Sequence, residues 1–199
     1  MRYTGPKRRL SRREGIALFP KDVAVLERKG AMPPGQRGNR MKRRLSEFGL
    51  QLREKQKTKR MFGMSERQFA SVVSQAAAAK TATGQTLLEN LELRLDNVVY
   101  RLGFAKSRNE ARQLVSHGHV QVDGKKLSIP SAKVAINSTV AISPKFVDNT
   151  QVQKNLEDSK ELPGWLEKKA QTGKVLRLPQ RSEMESSINE QLIVEYYSR

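Results

Sequence analysis

RLDNVVYRLGFAKSRNEARQLVSHGHVQVDGKKL, residues 94–127, is the stretch that decides the fold. Just upstream, Leu91 joins Leu95, Val98, Val99 and Leu102 in an apolar stripe at helical spacing, and Gly103 ends it. Ser107-x-x-Glu110 has the form of a capping box. It opens a second helix whose apolar face is Ala111, Leu114 and Val115 and which stops near Gly118. The period then changes to two, through Val120 and Val122, an Asp123-Gly124 turn, and Leu127 and Ile129. Asp-Gly between alternating residues marks a hairpin, because both central positions of that turn favour positive φ. SAKVAINSTVAIS, residues 131–143, adds a strand through Val134, Ile136, Val140 and Ile142. Helix, helix and hairpin make a compact α+β unit.

On the C-terminal side, Trp165-Leu166-Glu167 and Lys174-Val175-Leu176-Arg177-Leu178 read as two short strands around Gly173 that extend the same sheet. The end, SSINEQLIVEYYSR, reads as a helix with Ile188, Leu192, Ile193 and Tyr196 facing inward. On the N-terminal side three more capping patterns occur, Ser11-x-x-Glu14, Ser65-x-x-Gln68 and Thr86-x-x-Glu89. The first opens a short segment from Leu10 to Phe19. The second opens a helix with Phe69, Val72, Val73 and Ala76 on one face, and the third opens TLLENLELRL. Before them, residues 46–62 form a helix with Phe48, Leu52 and Met61 set among cations.

Charge separates the chain into parts. Its 199 residues hold 38 Lys and Arg against 20 Asp and Glu, a net charge of +18. Residues 1–67 hold 20 of those cations against 6 acids, an excess of 14; the remaining 18 against 14 leave an excess of only 4. Such a charge repels itself in a compact chain and calls for a polyanionic partner. No apolar run of 18 residues suits a membrane, and MRYTGPKRRL has no apolar core for a secretory leader, so a non-exported, cytoplasmic chain is expected. The chain has no Cys, which excludes disulfides, thiolate nucleophiles and Cys-ligated zinc.

The candidate nucleic-acid contacts follow from that distribution. Arg2, the run Lys7, Arg8, Arg9, Arg12 and Arg13, and the run Arg37, Arg40, Lys42, Arg43 and Arg44 lie in residues 1–45. Gly5-Pro6, Gly30, Pro33-Pro34-Gly35 and Gly38 break that segment, so an extended arm that orders against its partner is expected. Arg53, Lys55, Lys57, Lys59 and Arg60 cover most of the next helix, and Arg67 opens the one after it. In the α+β unit, Arg108 and Arg112 lie four apart, so they share a helix face opposite the apolar set. With His117 at the helix end and Lys125 and Lys126 after the hairpin turn, they make a cationic concavity suited to structured RNA. Charge density alone does not distinguish RNA from DNA.

Residues 94–127 resemble the RNA-binding helix-helix-hairpin module, of the alpha-L type, named after small-subunit ribosomal protein S-four. Four more blocks match that family in order and spacing: RYTGPKRRLSRREG (2–15), PPGQRG (33–38), LREKQK (52–57) and INEQLIVEYYSR (188–199). The resemblance therefore spans the chain, in the bacterial-type form without the four arm cysteines that bind zinc in some members. It implies a structural constituent of the small ribosomal subunit that binds small-subunit (16S-type) rRNA early, at a helix junction in the 5′ region, and nucleates assembly of the subunit body. It also implies a position at the mRNA entrance, with Arg40, Lys42, Arg43 and Arg44 toward the message, and an interface with ribosomal protein S-five that influences translational accuracy.

Enzyme readings fare poorly. Arg94-Leu95-Asp96 resembles the catalytic triplet of pseudouridine synthases, some of which carry the same module, but Asp96 falls inside the module's first helix and is expected to be structural. His117 and His119 lack the acidic or thiol companions of a metal site, so neither metal nor cofactor is expected. Glu157, Asp158 and Glu161 read as a solvated acidic face. The expected architecture is an α+β fold: a basic N-terminal arm (1–45), a discontinuous helical domain (46–90, completed by 183–199), and an inserted RNA-binding domain with an antiparallel sheet (91–182).

Overall fold

The computed structural model describes residues 3–29, 32–35, 44–79, 81–147, 149–157 and 162–198. Among them the chain order is α1 (Lys7–Glu14), α2 (Val23–Lys29), α3 (Glu47–Met61), α4 (Glu66–Ala77), α5 (Thr83–Glu92), α6 (Leu95–Arg101), α7 (Arg108–Ser116), β1 (Val120–Val122), β2 (Lys125–Lys126), β3 (Thr139–Ile142), α8 (Thr150–Glu157), β4 (Leu166–Lys169), β5 (Thr172–Val175) and α9 (Glu190–Tyr197). The fold is α+β. It divides into two units, Met1–Gly84 with Ile188–Arg199, and Gln85–Ser187.

Helix starts follow local chemistry where a hydroxyl is available to the first turn. Ser65 and Gln68 form a reciprocal capping box on α4, and Ser107 accepts from the Glu110 N–H on α7. Ser46, which the sequence pattern did not single out, caps α3 through the Gly49 N–H. The other two capping patterns are misreadings. Ser11 lies inside α1, buried, and its hydroxyl donates to Asp22 at 2.5 Å. Thr86 lies one turn inside α5. In place of a largely extended arm, α1 and α2 flank a 3-10 turn at Pro20–Asp22, and Leu18 is buried there.

In the first unit α9 packs along α3, with Phe48 stacked on Tyr196 at 5.6 Å and Phe69 against Tyr197 at 6.3 Å. Ile188 and Ile193 are buried, as expected of the terminal stripe. The side of α3 that is buried is mostly polar, formed by Gln51, Lys55 and Thr58 with Met61, whereas Phe48 remains half exposed.

The second unit carries a five-stranded antiparallel sheet in the order β2-β1-β3-β5-β4. Asp123 (φ 49°) and Gly124 (φ 78°) make the tight turn of the β1–β2 hairpin, and the Asp123 carboxylate accepts from the Thr139 N–H at 2.7 Å, fastening the turn to β3. Leu95, Val99, Phe104, Val115, Val120, Val140 and Trp165 meet in one apolar core. Gly173 sits within β5, where a Cβ would run into Leu102, and Ala170 (φ 51°) supplies the β4–β5 turn instead.

Two expectations in this unit need correction. The stripe from Leu91 to Leu102 is not one helix: α5 ends at Glu92 and α6 begins at Leu95. The backbone between them turns to a nonlocal partner. The Val134 N–H donates to Leu93 O (2.9 Å), and the Leu95 and Asp96 N–H groups donate to Ala132 O and Pro130 O (2.8 and 3.1 Å). SAKVAINSTVAIS is strand only over β3, because Asn137 (φ 68°) turns the chain and its N–H donates to Val175 O, leaving Ile136 exposed. Helix α8 had no clear signal; its stripe is little more than Val152 and Leu156.

Ile193 is fully buried. Ile193→Ala is expected to destabilise the first unit by about 2–5 kcal/mol, read by urea unfolding followed by circular dichroism. A destabilisation below about 1 kcal/mol would mean that α9 does not complete that core.

Candidate nucleic-acid interface

Helix α7 places Arg108 in its first turn, and that arginine is already occupied. Its Nε donates to Asn97 Oδ1 at 2.8 Å, its Nη2 lies 2.6 Å from Glu185 Oε1, and its guanidinium rests over the Tyr100 ring. Asn97 in turn donates to Glu92, a buried carboxylate that takes two further bonds from Arg101 at 3.0 and 2.7 Å. Burial alone would raise the Glu185 carboxyl; Arg108 and Arg101 overcome that and hold it below the usual carboxylate range. Arg112 reaches toward Asp96 at 3.8 Å. Both arginines, expected on the helix face opposite Ala111, Leu114 and Val115, have a carboxylate of the protein nearby. Lys125 and Lys126, by contrast, are exposed on the hairpin, and His117 is exposed at the end of α7.

The cations of α3 show the same pattern. Arg53 and Arg60 both pair with Glu14 of α1, Lys57 with Glu54, and Lys55 and Lys59 with Glu66. Lys55 is buried, its ammonium 4.4 Å from the centre of the Tyr196 ring. Burial pushes the Glu14 carboxyl up, and the flanking cations offset this only in part. At Glu66 burial also works upward, but hydrogen bonds from Lys55, Lys59 and Tyr197 prevail and hold the carboxyl at about 2. On α1, Lys7, Arg8, Arg9 and Arg13 are exposed, with Arg8 at the edge of an ion pair 3.9 Å from Asp22. Arg12 donates to the carbonyls of Met32 and Pro33. Arg44 and Arg67 are exposed. Arg2, Arg37, Arg40, Lys42 and Arg43 lie outside the described residues, as do Asp158 and Glu161 of the expected acidic face.

Asp96 is a structural residue. Its carboxylate takes two bonds from Arg94, 3.0 and 2.7 Å, and both side chains are buried. Paired in this way, it is not presented to a substrate as a nucleophile. Among the described residues no group of His, Asp and Glu is arranged to hold a metal ion, and no helix is long and apolar enough to cross a membrane. The sequence reading passed over Glu92, Asn97, Arg101 and Glu185, which orient Arg108. A buried Glu at the end of an apolar helix was the only hint of them.

Two family descriptions match in tandem: "Ribosomal protein S4/S9 N-terminal domain" over residues 2–92 and "S4 domain" over residues 93–140. The whole chain is similar to proteins named small ribosomal subunit protein uS4. It is 49% identical to that of Chloroflexus aurantiacus, 48% to that of Thermoanaerobacter pseudethanolicus and 45% to that of Thermus thermophilus, in each case over 100% of this chain and 99% of the relative.

Asp96→Asn would leave the Arg94 charge buried without its counter-ion, and a loss of about 3–5 kcal/mol is expected in urea unfolding. A neutral outcome would mean that the pair is not closed in solution. A second expectation concerns acid. The Glu66 carboxyl is depressed on folding, so its stabilising contribution is complete above its ordinary value of 4.5 and fades as the pH falls toward 2. Glu66→Gln should lower the melting temperature at pH 6, and the difference from the parent should hold down to about pH 4.5 and then shrink as the pH falls to 2 and below. A difference constant from pH 6 to 2 would refute the assignment.

Proposed function

The chain belongs to the small ribosomal subunit protein uS4 family, and from that premise we propose that it is a primary rRNA-binding protein that nucleates assembly of the subunit body. It is a ribosomal protein with an S4 domain and not an enzyme. The observation that carries the proposal is the grouping of exposed cations on two elements. The β1–β2 hairpin presents Lys125 and Lys126 beside His117, and α1 presents Lys7, Arg8, Arg9 and Arg13. Exposed cations that are weakly engaged within the protein gain most from releasing the counterions condensed on RNA.

In this reading the cations divide into two groups. The exposed ones contact phosphate directly. Arg53, Lys55, Lys57, Lys59, Arg60, Arg108 and Arg112 hold the protein's own carboxylates, and any contact they make to RNA is shared with those acids. Arg40, Lys42, Arg43 and Arg44 face mRNA at its entrance, and a surface shared with ribosomal protein S-five bears on translational accuracy. The working division is the basic arm 1–45, the helical domain 46–90 with 183–199, and the RNA-binding domain 91–182. The compact units Met1–Gly84 with Ile188–Arg199 and Gln85–Ser187 support a discontinuous first domain, with limits six and five residues from these, and they set no boundary at 45.

The test is a salt titration of affinity for a 5′-region fragment of small-subunit rRNA. The parent should show a steep fall of log K with log salt. Changing Lys125 and Lys126 together to Ala should flatten that slope by roughly 1.5, about 0.7–0.9 for each phosphate no longer neutralised, with an unchanged circular dichroism spectrum. An unchanged slope would remove the hairpin from the RNA surface, and failure of the parent to bind the fragment would remove the proposal.

A further inference from the structure

Beside the hairpin, in the second unit, is a cavity of about 240 Å³ between α7 and residues Phe146, Asn149, Gln151 and Val152. Leu114 and Val152 are among its lining residues and give it an apolar surface. One wall is aromatic: the His119 ring stacks on Phe146, centroids 3.7 Å apart and planes within 11°. That wall is fixed by the backbone, since the Ser143 N–H donates to His119 O and the Phe146 N–H to Ser143 O, each at 2.8 Å. Gln113 and Asn149 bring amide groups to the lining. The Glu110 carboxylate is held in place by the Lys106 N–H at 2.8 Å and Asn155 at 3.1 Å. Lys126 lies over Gly118, between the two histidines, so closely that a Cβ at 118 would have to displace its stem.

We propose that this cavity receives one unpaired nucleobase of the bound RNA, with the adjoining phosphate against Lys126. The inference rests on the RNA-binding reading above and deepens it by naming what the module takes besides backbone. A flat heterocycle suits a space with apolar and aromatic walls and a few amides, and single-stranded bases are recognised by such stacking with hydrogen bonds to their edges. The carboxylate excludes an anion from the interior, so the phosphate remains outside with the ammonium. Burial, His117 and Lys126 all lower the His119 pKa, which keeps the ring neutral and able to stack without importing charge. With Glu110 as a fixed acceptor, the cavity favours a base that carries an exocyclic amino group, such as adenine or cytosine, over uracil, which has none.

The experiment titrates the full chain, isotopically labelled at His and Phe, with the hexanucleotides A6, C6 and U6, with a blunt 16-base-pair RNA duplex, and with the rRNA fragment. The expected result is A6 and C6 binding about five- to tenfold more tightly than U6, with ring resonances of His119 and Phe146 shifting for the hexamers and not for the duplex. Phe146→Leu should collapse the A6-to-U6 ratio toward one. Gln113→Glu changes an exposed position, so folding is not at stake, and it should weaken A6 several-fold by adding a second carboxylate. Binding of the rRNA fragment without any ring shift, an A6-to-U6 ratio unchanged by Phe146→Leu, or A6 affinity unchanged by Gln113→Glu would overturn the nucleobase site while leaving the RNA-binding reading intact. If the fragment does not bind, that reading is the one that fails.

Discussion

Glu92 is a buried carboxylate, and its need for partners organises the RNA-binding unit. An isolated charge in that position would cost several kcal/mol, so it is surrounded by donors from Asn97 and Arg101. Asn97 then turns its oxygen to Arg108, and Arg108 and Arg101 share Glu185. One chain of hydrogen bonds thus connects the end of α5, the body of α6, the start of α7 and the segment that follows β5. Apolar packing is non-directional, whereas the bonds from Arg108 to Asn97 and Glu185 fix the orientation of α7. This network orients the helix whose far end presents His117 and stands beside the hairpin lysines.

Internal pairing changes what the net charge means. A charge of +18 suggests a chain covered with cations open to RNA. In α3, however, Glu14, Glu54 and Glu66 engage five of them, and the side of that helix toward α9 is built from Gln51, Lys55 and Thr58 rather than from aliphatic residues. Tyr196 and Tyr197 supply the aromatic surface that lets a lysine be buried there. Among the described residues α1 and the β1–β2 hairpin each group exposed cations close together, and the proposed phosphate contacts fall there.

Much of the fold was legible because it depends on near neighbours. The Asp123-Gly124 turn, the Ser65 and Ser107 caps, the face of α4 and the buried Ile188 and Ile193 all follow from patterns within a few residues. Where the reading failed, a distant group intervened. Ser11 has the spacing of a cap, but its hydroxyl bonds Asp22, eleven residues away. The Leu91–Leu102 stripe has unbroken helical spacing, yet the backbone at Leu93 and Leu95 is taken by Val134 and Ala132. Asn137 ended a strand by adopting a left-handed conformation that alternation of apolar residues does not reveal.

The sequence by itself determined the helix-helix-hairpin order, the basic partner-seeking character of the chain and the identity of its cations, since periodicity, turn chemistry and formal charge are local properties. Only the tertiary structure decided which cations are available. Arg53 meets Glu14 from 39 residues away, Arg108 meets Glu185 from 77, and Lys55 meets Tyr196 from 141. The stacking of His119 on Phe146, which gives the cavity its aromatic wall, likewise joins residues far apart in the chain. Coulomb attraction, stacking and burial act through space, and the separation along the chain at which they operate has no signature in the spacing of residues.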